Sequence, residues 1–131
     1  FENFLINDCS EVIRYLDEVD SPQLGIHLDT FHMNIEEDSM VGAILEAGDR
    51  LKYFHIGENN RKFPGTGGMP WRDIFTALDA VDYAGPVAME PFVRPGGEVG
   101  AAVSLYRDLM NLDDYDNDIR RSVDFVRTMM R

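Results

Sequence analysis

The 131-residue sequence is poor in basic residues: twelve Lys and Arg stand against 24 Asp and Glu, which gives a net charge of −12. A surface this acidic repels phosphate backbones, so we expect no role that depends on nucleic-acid binding. A small neutral substrate is compatible with this charge. The sequence also lacks an apolar run near the ~18–20 residues that a membrane span requires, and no signal peptide is recognisable, so we expect no membrane-bound role.

The sequence has a single cysteine, Cys9, and therefore cannot form an internal disulfide. Cys9 stands at helical spacing with Leu5, Val12 and Leu16, which predicts a position on the apolar face of a helix rather than a catalytic role. One reduced cysteine fits a cytoplasmic protein.

Apolar periodicity predicts strands that alternate with helices along the chain. The predicted strands are residues 24–29, 51–56 and 86–89, and the predicted helices are residues 4–19, 38–48 (capped by Asp38 or Ser39), 71–81, 98–111 and 119–130. Residues 57–70 hold four glycines and two prolines and are predicted to form a long loop. This order is typical of parallel βαβ units and therefore of an α/β fold.

Three parallel strands bury little by themselves, whereas a (β/α)₈ TIM barrel has eight strands and typically ~250 residues. We therefore expect residues 1–131 to be the C-terminal portion of a single TIM-barrel domain, about three βα units, with the N-terminal half absent from this chain. Residues 1–4 have the pattern of a helix interior, which agrees with a longer chain upstream.

Each predicted strand ends close to a residue that can bind a metal: Asp29, His55 and Glu90. The carboxyl ends of parallel strands meet at one rim, where barrel enzymes place their active sites. Two carboxylates and an imidazole suit Mn²⁺, Co²⁺ or Mg²⁺ better than metals that prefer thiolates. The pattern alone leaves other roles open, because a carboxylate at a strand end also caps helices or pairs with Arg, and a histidine there also packs in a partly buried position.

Two further residues are predicted near the same rim, His32 and Arg61. Arg61 suits donation to sugar hydroxyls and stabilisation of an enolate, and a surface ion pair with Glu58 is the alternative. We interpret His27, inside the first strand, as a packing residue. Residues 65–68 are rich in glycine but resemble a phosphate-binding loop only superficially, because no Lys-Ser/Thr follows them and no strand precedes them.

Three segments closely resemble the signatures of the D-tagatose 3-epimerase and D-psicose (allulose) 3-epimerase family. They are residues 28–37, residues 54–61 with Pro64-Gly65, and residues 89–93 with Pro95-Gly96-Gly97. The likeness extends from residue 1 to about residue 108, which is most of the chain. The resemblance implies a xylose isomerase-like barrel and an isomerase that inverts C3 of a free ketohexose, such as D-fructose/D-psicose or D-tagatose/D-sorbose.

The same resemblance implies roles for individual residues. The family binds one divalent ion, usually Mn²⁺ or Co²⁺, through two glutamates, an aspartate and a histidine, and the motifs match three of these to Asp29, His55 and Glu90. Glu90 is also implied to be one of two carboxylates that exchange a proton with C3 from opposite faces, through an enediolate that the metal stabilises. The other glutamate is expected a few residues upstream of residue 1. By motif, the resemblance also implies three substrate-binding residues, which are Glu2, His32 and Arg61.

The expected protein is therefore a metal-dependent ketose 3-epimerase, with Mn²⁺ as the first choice of ion. The family resemblance also implies that the protein is a homo-oligomer, either a dimer or a tetramer. Because one base and one ligand are expected upstream, the isolated chain is predicted to be inactive and to bind metal weakly. Two alternatives stay open: another sugar or keto-acid isomerase of the superfamily, or a catalytically incomplete fragment. A DNA-repair enzyme on this barrel is disfavoured, since it needs more histidine ligands and a basic groove.

Overall fold

The computed structural model describes residues 4–131, which form a three-stranded parallel sheet and its helices. The strands are β1 (Ile26–Asp29), β2 (Leu51–Ile56) and β3 (Val87–Met89), hydrogen-bonded in the order β1-β2-β3. The helices are α1 (Cys9–Val19), α2 (Thr30–Glu36), α3 (Met40–Ala47), α4 (Trp71–Ala80), α5 (Gly97–Ala102) and α6 (Tyr115–Met129). Helices connect each pair of neighbouring strands, so the predicted α/β fold of parallel βα units is confirmed.

The two faces of the sheet differ because successive strand side chains point to opposite sides. Half of the side chains along β1 and β2 are buried in the main core, and these are Ile26, Leu28, Leu51, Phe54 and Ile56. Helices α3 and α4 complete this core with Ile44, Ala47, Trp71, Ile74 and Leu78. Each large apolar side chain buried in this way contributes about 1.5–3 kcal/mol to folding. The opposite face of the sheet remains available for polar side chains.

The first helix begins later than predicted. Residues 4–8 are not helical, and α1 begins at Cys9 because the side chain of Asp8 accepts a hydrogen bond from the backbone N–H of Glu11 at 2.8 Å. This bond lowers the pKa of the Asp8 carboxyl, as expected for an N-cap. Phe4 and Leu5 are 92% and 70% exposed, so neither belongs to an apolar helix face.

Cys9 lies in the core, as predicted. Its side chain is 1% exposed, and its Sγ donates to the carbonyl oxygen of Ala43 at 3.3 Å. Burial, followed by the negative charge of Glu37, raises the pKa of the Cys9 thiol to about 11. A thiol that stays protonated at neutral pH is a poor nucleophile, which agrees with a packing role.

Local capping explains the other differences from the predicted helices. Residues 30–36, which lie outside the predicted strands and helices, form α2, whereas the helix expected over residues 98–111 ends at Ala102. It ends there because Ser104 adopts a left-handed conformation (φ 55°) and the N–H of Leu105 donates to the carbonyl of Gly100 at 2.8 Å, which is a Schellman motif. The last helix begins at Tyr115 rather than at residue 119.

The cap of α3 follows the sequence more closely. Of the two candidates, Ser39 is the N-cap, and its Oγ accepts from the N–H of Gly42 at 3.0 Å.

Within residues 4–131, none of the helices combines the length and the apolar character that crossing a membrane demands.

Candidate metal centre

The ends of three parallel strands bring Asp29, His55 and Glu90 together. Asp29 pairs with His55 across β1 and β2, and His55 pairs with Ala88 across β2 and β3. Glu90 follows Ala88 by two residues and therefore points to the same side of the chain. The backbone N–H of Glu90 donates to the carbonyl of Ile56 at 3.2 Å, which keeps the chain beside β2 beyond the last residue of β3.

The three side chains form a compact donor set whose ligand atoms all lie within 4.8 Å of one another. Nδ1 of His55 is 3.1 Å from Oε2 of Glu90 and 3.6 Å from Oδ2 of Asp29. One imidazole nitrogen and two carboxylate oxygens fit a divalent ion such as Mn²⁺. The side chain of Glu90 is 42% exposed, against 13% for Asp29, so Glu90 is the more open of the two carboxylates.

Asp29 uses its two carboxylate oxygens differently. Oδ1 accepts from the backbone N–H groups of Phe31 at 2.8 Å and His32 at 3.1 Å, and so caps α2. Oδ2 is the atom that faces His55. The cap fixes the orientation of the carboxylate and leaves one oxygen for a metal, so the two roles that the sequence left open for Asp29 are compatible with each other.

Thr30 fastens the end of β1 to the end of β2. Its fully buried hydroxyl accepts from the backbone N–H of Gly57 at 2.9 Å and donates to the carbonyl oxygen of Gly57 at 2.8 Å. Thr30 directly follows Asp29, and Gly57 follows His55 by two residues. The hydroxyl therefore holds the backbones that carry these two side chains side by side. Nothing in the spacing of the sequence indicates this bond.

A cavity of about 360 Å³ adjoins the three side chains, and His32 and His27 both line it. The position of His32 is compatible with the substrate contact that the resemblance implies, which stays a prediction.

His27 is the residue of the first strand that the sequence indicates as a packing residue. Its ring does pack edge to face against His55, at 4.2 Å between centroids, and burial lowers the pKa of its imidazole. Its place in the cavity follows from strand alternation, because His27 precedes Asp29 by two residues.

Arg61 faces a neighbouring cavity rather than the one that holds the three donors. Its guanidinium carbon lies 3.9 Å from the centroid of the Phe31 ring and 5.1 Å from that of Phe92. Phe31 lines the cavity of Arg61, and the next residue, His32, lines the other, so the two cavities are adjacent. Glu2, the remaining substrate contact implied by the resemblance, lies outside the described residues.

Glu58 has a role that the sequence did not predict. The alternative of a surface ion pair with Arg61 is wrong, because Glu58 is 0% exposed and Arg61 is 7% exposed. Oε1 of Glu58 accepts from the backbone N–H of Gly65 at 2.7 Å and from Nε1 of Trp71 at 2.8 Å, and Oε2 accepts from the N–H of Met69 at 3.2 Å. The glycine-rich residues 65–68 therefore surround a carboxylate of the protein itself, which agrees with the low expectation of phosphate binding there.

Comparisons with known proteins agree with this fold. The sequence model of the family described as xylose isomerase-like TIM barrel matches residues 1–129. The D-psicose 3-epimerase of Ruminiclostridium cellulolyticum is 47% identical over 133 residues, which cover 99% of this chain and 45% of that protein. The L-ribulose 3-epimerase of Methylomonas sp. is 38% identical over 131 residues, which cover 97% of this chain and 44% of that protein.

A solved structure extends the agreement to three dimensions. The crystal structure of D-psicose 3-epimerase with D-tagatose from Clostridium cellulolyticum has a TM-score of 0.95 at 45% identity, over 100% of this chain and 46% of that one. The chain thus spans about half the length of the curated relatives that it matches.

Proposed function

This chain belongs to the xylose isomerase-like TIM barrel family, and we propose that it is the C-terminal part of a metal-dependent ketose 3-epimerase. The observation that carries the proposal is the convergence of Asp29, His55 and Glu90 at the carboxyl ends of three neighbouring strands. That rim is where barrels of this kind place their chemistry. The relatives named above are 3-epimerases of ketoses, which supports the reaction class.

The sheet supports the proposal that more of the barrel lies upstream. Among the described residues, β1 and β3 each pair with β2 alone, so each has an edge whose backbone groups are open to a further strand. Open edges of this kind are usually covered or paired in native proteins. The face that carries His27, Tyr53 and His55 is the one that a closed barrel encloses. The intact barrel is this segment together with the upstream half.

Asp29, His55 and Glu90 are the residues that we assign to the metal, with Mn²⁺ as the first choice and Co²⁺ or Mg²⁺ as alternatives. A divalent ion supplies Lewis-acid polarisation of the ketose oxygens and stabilises the negative charge that develops when C3 loses its proton. We assign the proton transfer itself to Glu90. Its Oε2 faces His55, which leaves Oε1, on the more exposed carboxylate, to take the proton from C3 or return it.

Inversion at C3 needs a second acid–base group on the other face of the sugar. By the family resemblance, this is a glutamate upstream of residue 1. His32 lines the cavity and is assigned to a substrate hydroxyl, and Arg61 and Glu2 are assigned to the remaining sugar oxygens. With half of this machinery elsewhere, residues 1–131 alone are predicted to be inactive. A homo-oligomer in the cytoplasm remains the expectation for the intact enzyme.

The assay that tests the function uses the intact barrel with Mn²⁺ and D-fructose in deuterated water. We expect D-psicose to form with solvent deuterium at C3, because the proton at C3 exchanges with a carboxylate that is open to water. The separate 131-residue chain, assayed in parallel, is expected to give no product. Isomerisation at any other carbon, or no turnover of D-fructose, D-tagatose and L-ribulose, contradicts the proposal.

L-ribulose serves as the comparison substrate in this assay. One relative is named for that ketopentose and another for D-psicose, a ketohexose, so both are assayed at the same concentrations. A higher kcat/KM for D-fructose supports the ketohexose assignment. A higher kcat/KM for L-ribulose keeps the reaction class and changes the substrate.

A further inference from the structure

The buried carboxylate of Glu58 organises the long loop over residues 57–70. Its three hydrogen bonds reach the backbone at Gly65 and Met69 and the indole of Trp71, the first residue of α4. These partners are spread over much of the loop, so one side chain ties its beginning to its end. Hydrogen bonds to a charged acceptor are stronger than bonds between neutral groups, which makes Glu58 an effective anchor.

The backbone of Glu58 forms the turn from which Arg61 projects. The N–H of Glu58 donates to the carbonyl of Lys62 at 3.0 Å, and the N–H of Arg61 donates to the carbonyl of Glu58 at 2.9 Å. Arg61 has a φ of 65°, a left-handed conformation that is unfavourable for a residue with a long side chain. Such a conformation persists only where the surrounding structure imposes it.

The side chain of Arg61 connects this turn to the metal centre. Its guanidinium lies against the rings of Phe31 and Phe92, which follow Asp29 and Glu90 by two residues each. The N–H of Phe92 also donates to the carbonyl of Arg61 at 2.9 Å. The position of Arg61 relative to the two carboxylates thus depends on the turn that Glu58 holds.

We propose that Glu58 is a positioning residue, whose buried carboxylate fixes the loop so that Arg61 is held at the edge of the active site to bind ketose oxygens. This inference rests on the proposed function. The site is built for a carboxylate in particular, because its three partners are all N–H donors. A Cβ added at Gly67 would collide with Oε2 of Glu58, so the loop is packed closely around this group. An amide in its place turns an –NH₂ group toward N–H donors.

The main test is Glu58→Gln in the intact barrel, assayed with D-fructose and Mn²⁺ well below the unfolding temperature. Small misplacements of a substrate-positioning group can cost up to about 100-fold in rate, and we expect kcat/KM to fall by about 10- to 100-fold, mainly through KM. The affinity for Mn²⁺ alone is expected to stay within about twofold of wild type, since Glu58 acts through Arg61 and not through the three donors.

The double variant Glu58→Gln/Arg61→Ala separates positioning from simple destabilisation. If Glu58 acts through Arg61, adding Glu58→Gln to Arg61→Ala changes kcat/KM by less than about twofold, because coupled residues are not additive. Ile44→Val is the matched control: Ile44 is fully buried in α3 and lines neither the cavity of the three donors nor that of Arg61. It is expected to lower the unfolding temperature and leave kcat/KM unchanged.

A second variant covers the case in which Glu58→Gln fails to fold. Trp71→Phe removes one donor to Oε1 and keeps an aromatic ring in the core, and it is expected to lower kcat/KM several-fold, again only when Arg61 is present. Two results overturn the positioning role while the epimerase function stands. One is a wild-type kcat/KM in Glu58→Gln and in Trp71→Phe. The other is a loss of kcat/KM in these variants that adds fully to the loss caused by Arg61→Ala. A wild-type barrel without ketose turnover overturns the proposed function and this role with it.

Discussion

Replacing Glu90 with Gln in the intact barrel is expected to lower kcat by about 10²–10⁴-fold, the range that a positioned general acid–base group supplies. Gln has nearly the shape of Glu but takes no proton from C3. Because Glu90 is more exposed than Asp29, we expect it to be the carboxylate that a bound ketose reaches. The measurement is the steady-state rate of D-psicose formation from D-fructose at saturating Mn²⁺.

Two controls show whether this loss is chemical. Glu98→Gln makes the same change of charge at an exposed residue of α5, outside the cavity, and is expected to keep wild-type kcat. Bound Mn²⁺, measured in the Glu90→Gln protein at the assay concentration, shows whether Asp29 and His55 still hold the ion. A Glu90→Gln enzyme that is loaded with Mn²⁺ and turns over near the wild-type rate contradicts the assignment of Glu90 as the base.

Asp29→Asn is expected to separate metal binding from folding. Asn is as good an N-cap as Asp, so the cap of α2 and the stability of the metal-free protein should be kept. The substitution removes the charge of Oδ2, the atom that faces His55. Loss of outer-shell partners alone typically lowers metal affinity by about 10–100-fold, so the loss of a charged ligand is expected to weaken Mn²⁺ binding at least that much.

The measurement is calorimetric titration with Mn²⁺, together with the unfolding temperature of the metal-free protein. Ser39→Ala is the matched control, since it removes the N-cap of α3 without touching the donor set. It should cost about 1 kcal/mol of stability and leave Mn²⁺ affinity unchanged. If Asp29→Asn binds Mn²⁺ like wild type, Asp29 serves as a cap only and the donor set is wrong.

The sequence predicts the strands well and the short helices poorly. The bounds of β2 were predicted because residues 51–56 form a short run of strand-forming residues that is followed at once by Gly57. Helix α4 was predicted from its apolar stripe. Helix α2 was not, because a seven-residue helix that is capped by Asp29 depends on one side-chain cap rather than on periodicity. The early end of α5 likewise depends on the left-handed Ser104.

Part of the candidate site could likewise be predicted from the sequence, and part of it could not. The convergence of Asp29, His55 and Glu90 could be predicted because parallel strands align their carboxyl ends, and this needs only the strand positions. The burial of Glu58 could not, since its partners lie in a loop whose path no local pattern specifies. The place of Arg61 beside Phe31 depends on that same loop, so a motif gives its identity but not its position.

The most direct test of the central claim is an anomalous difference map from crystals of the intact barrel grown with Mn²⁺. We predict one strong peak within about 2.0–2.5 Å of Oδ2 of Asp29, Nδ1 of His55 and a carboxylate oxygen of Glu90. A peak at that position establishes the metal centre from which the rest of the mechanism follows. A Mn²⁺ peak elsewhere in the barrel, with these three side chains bound to other protein groups, contradicts the account.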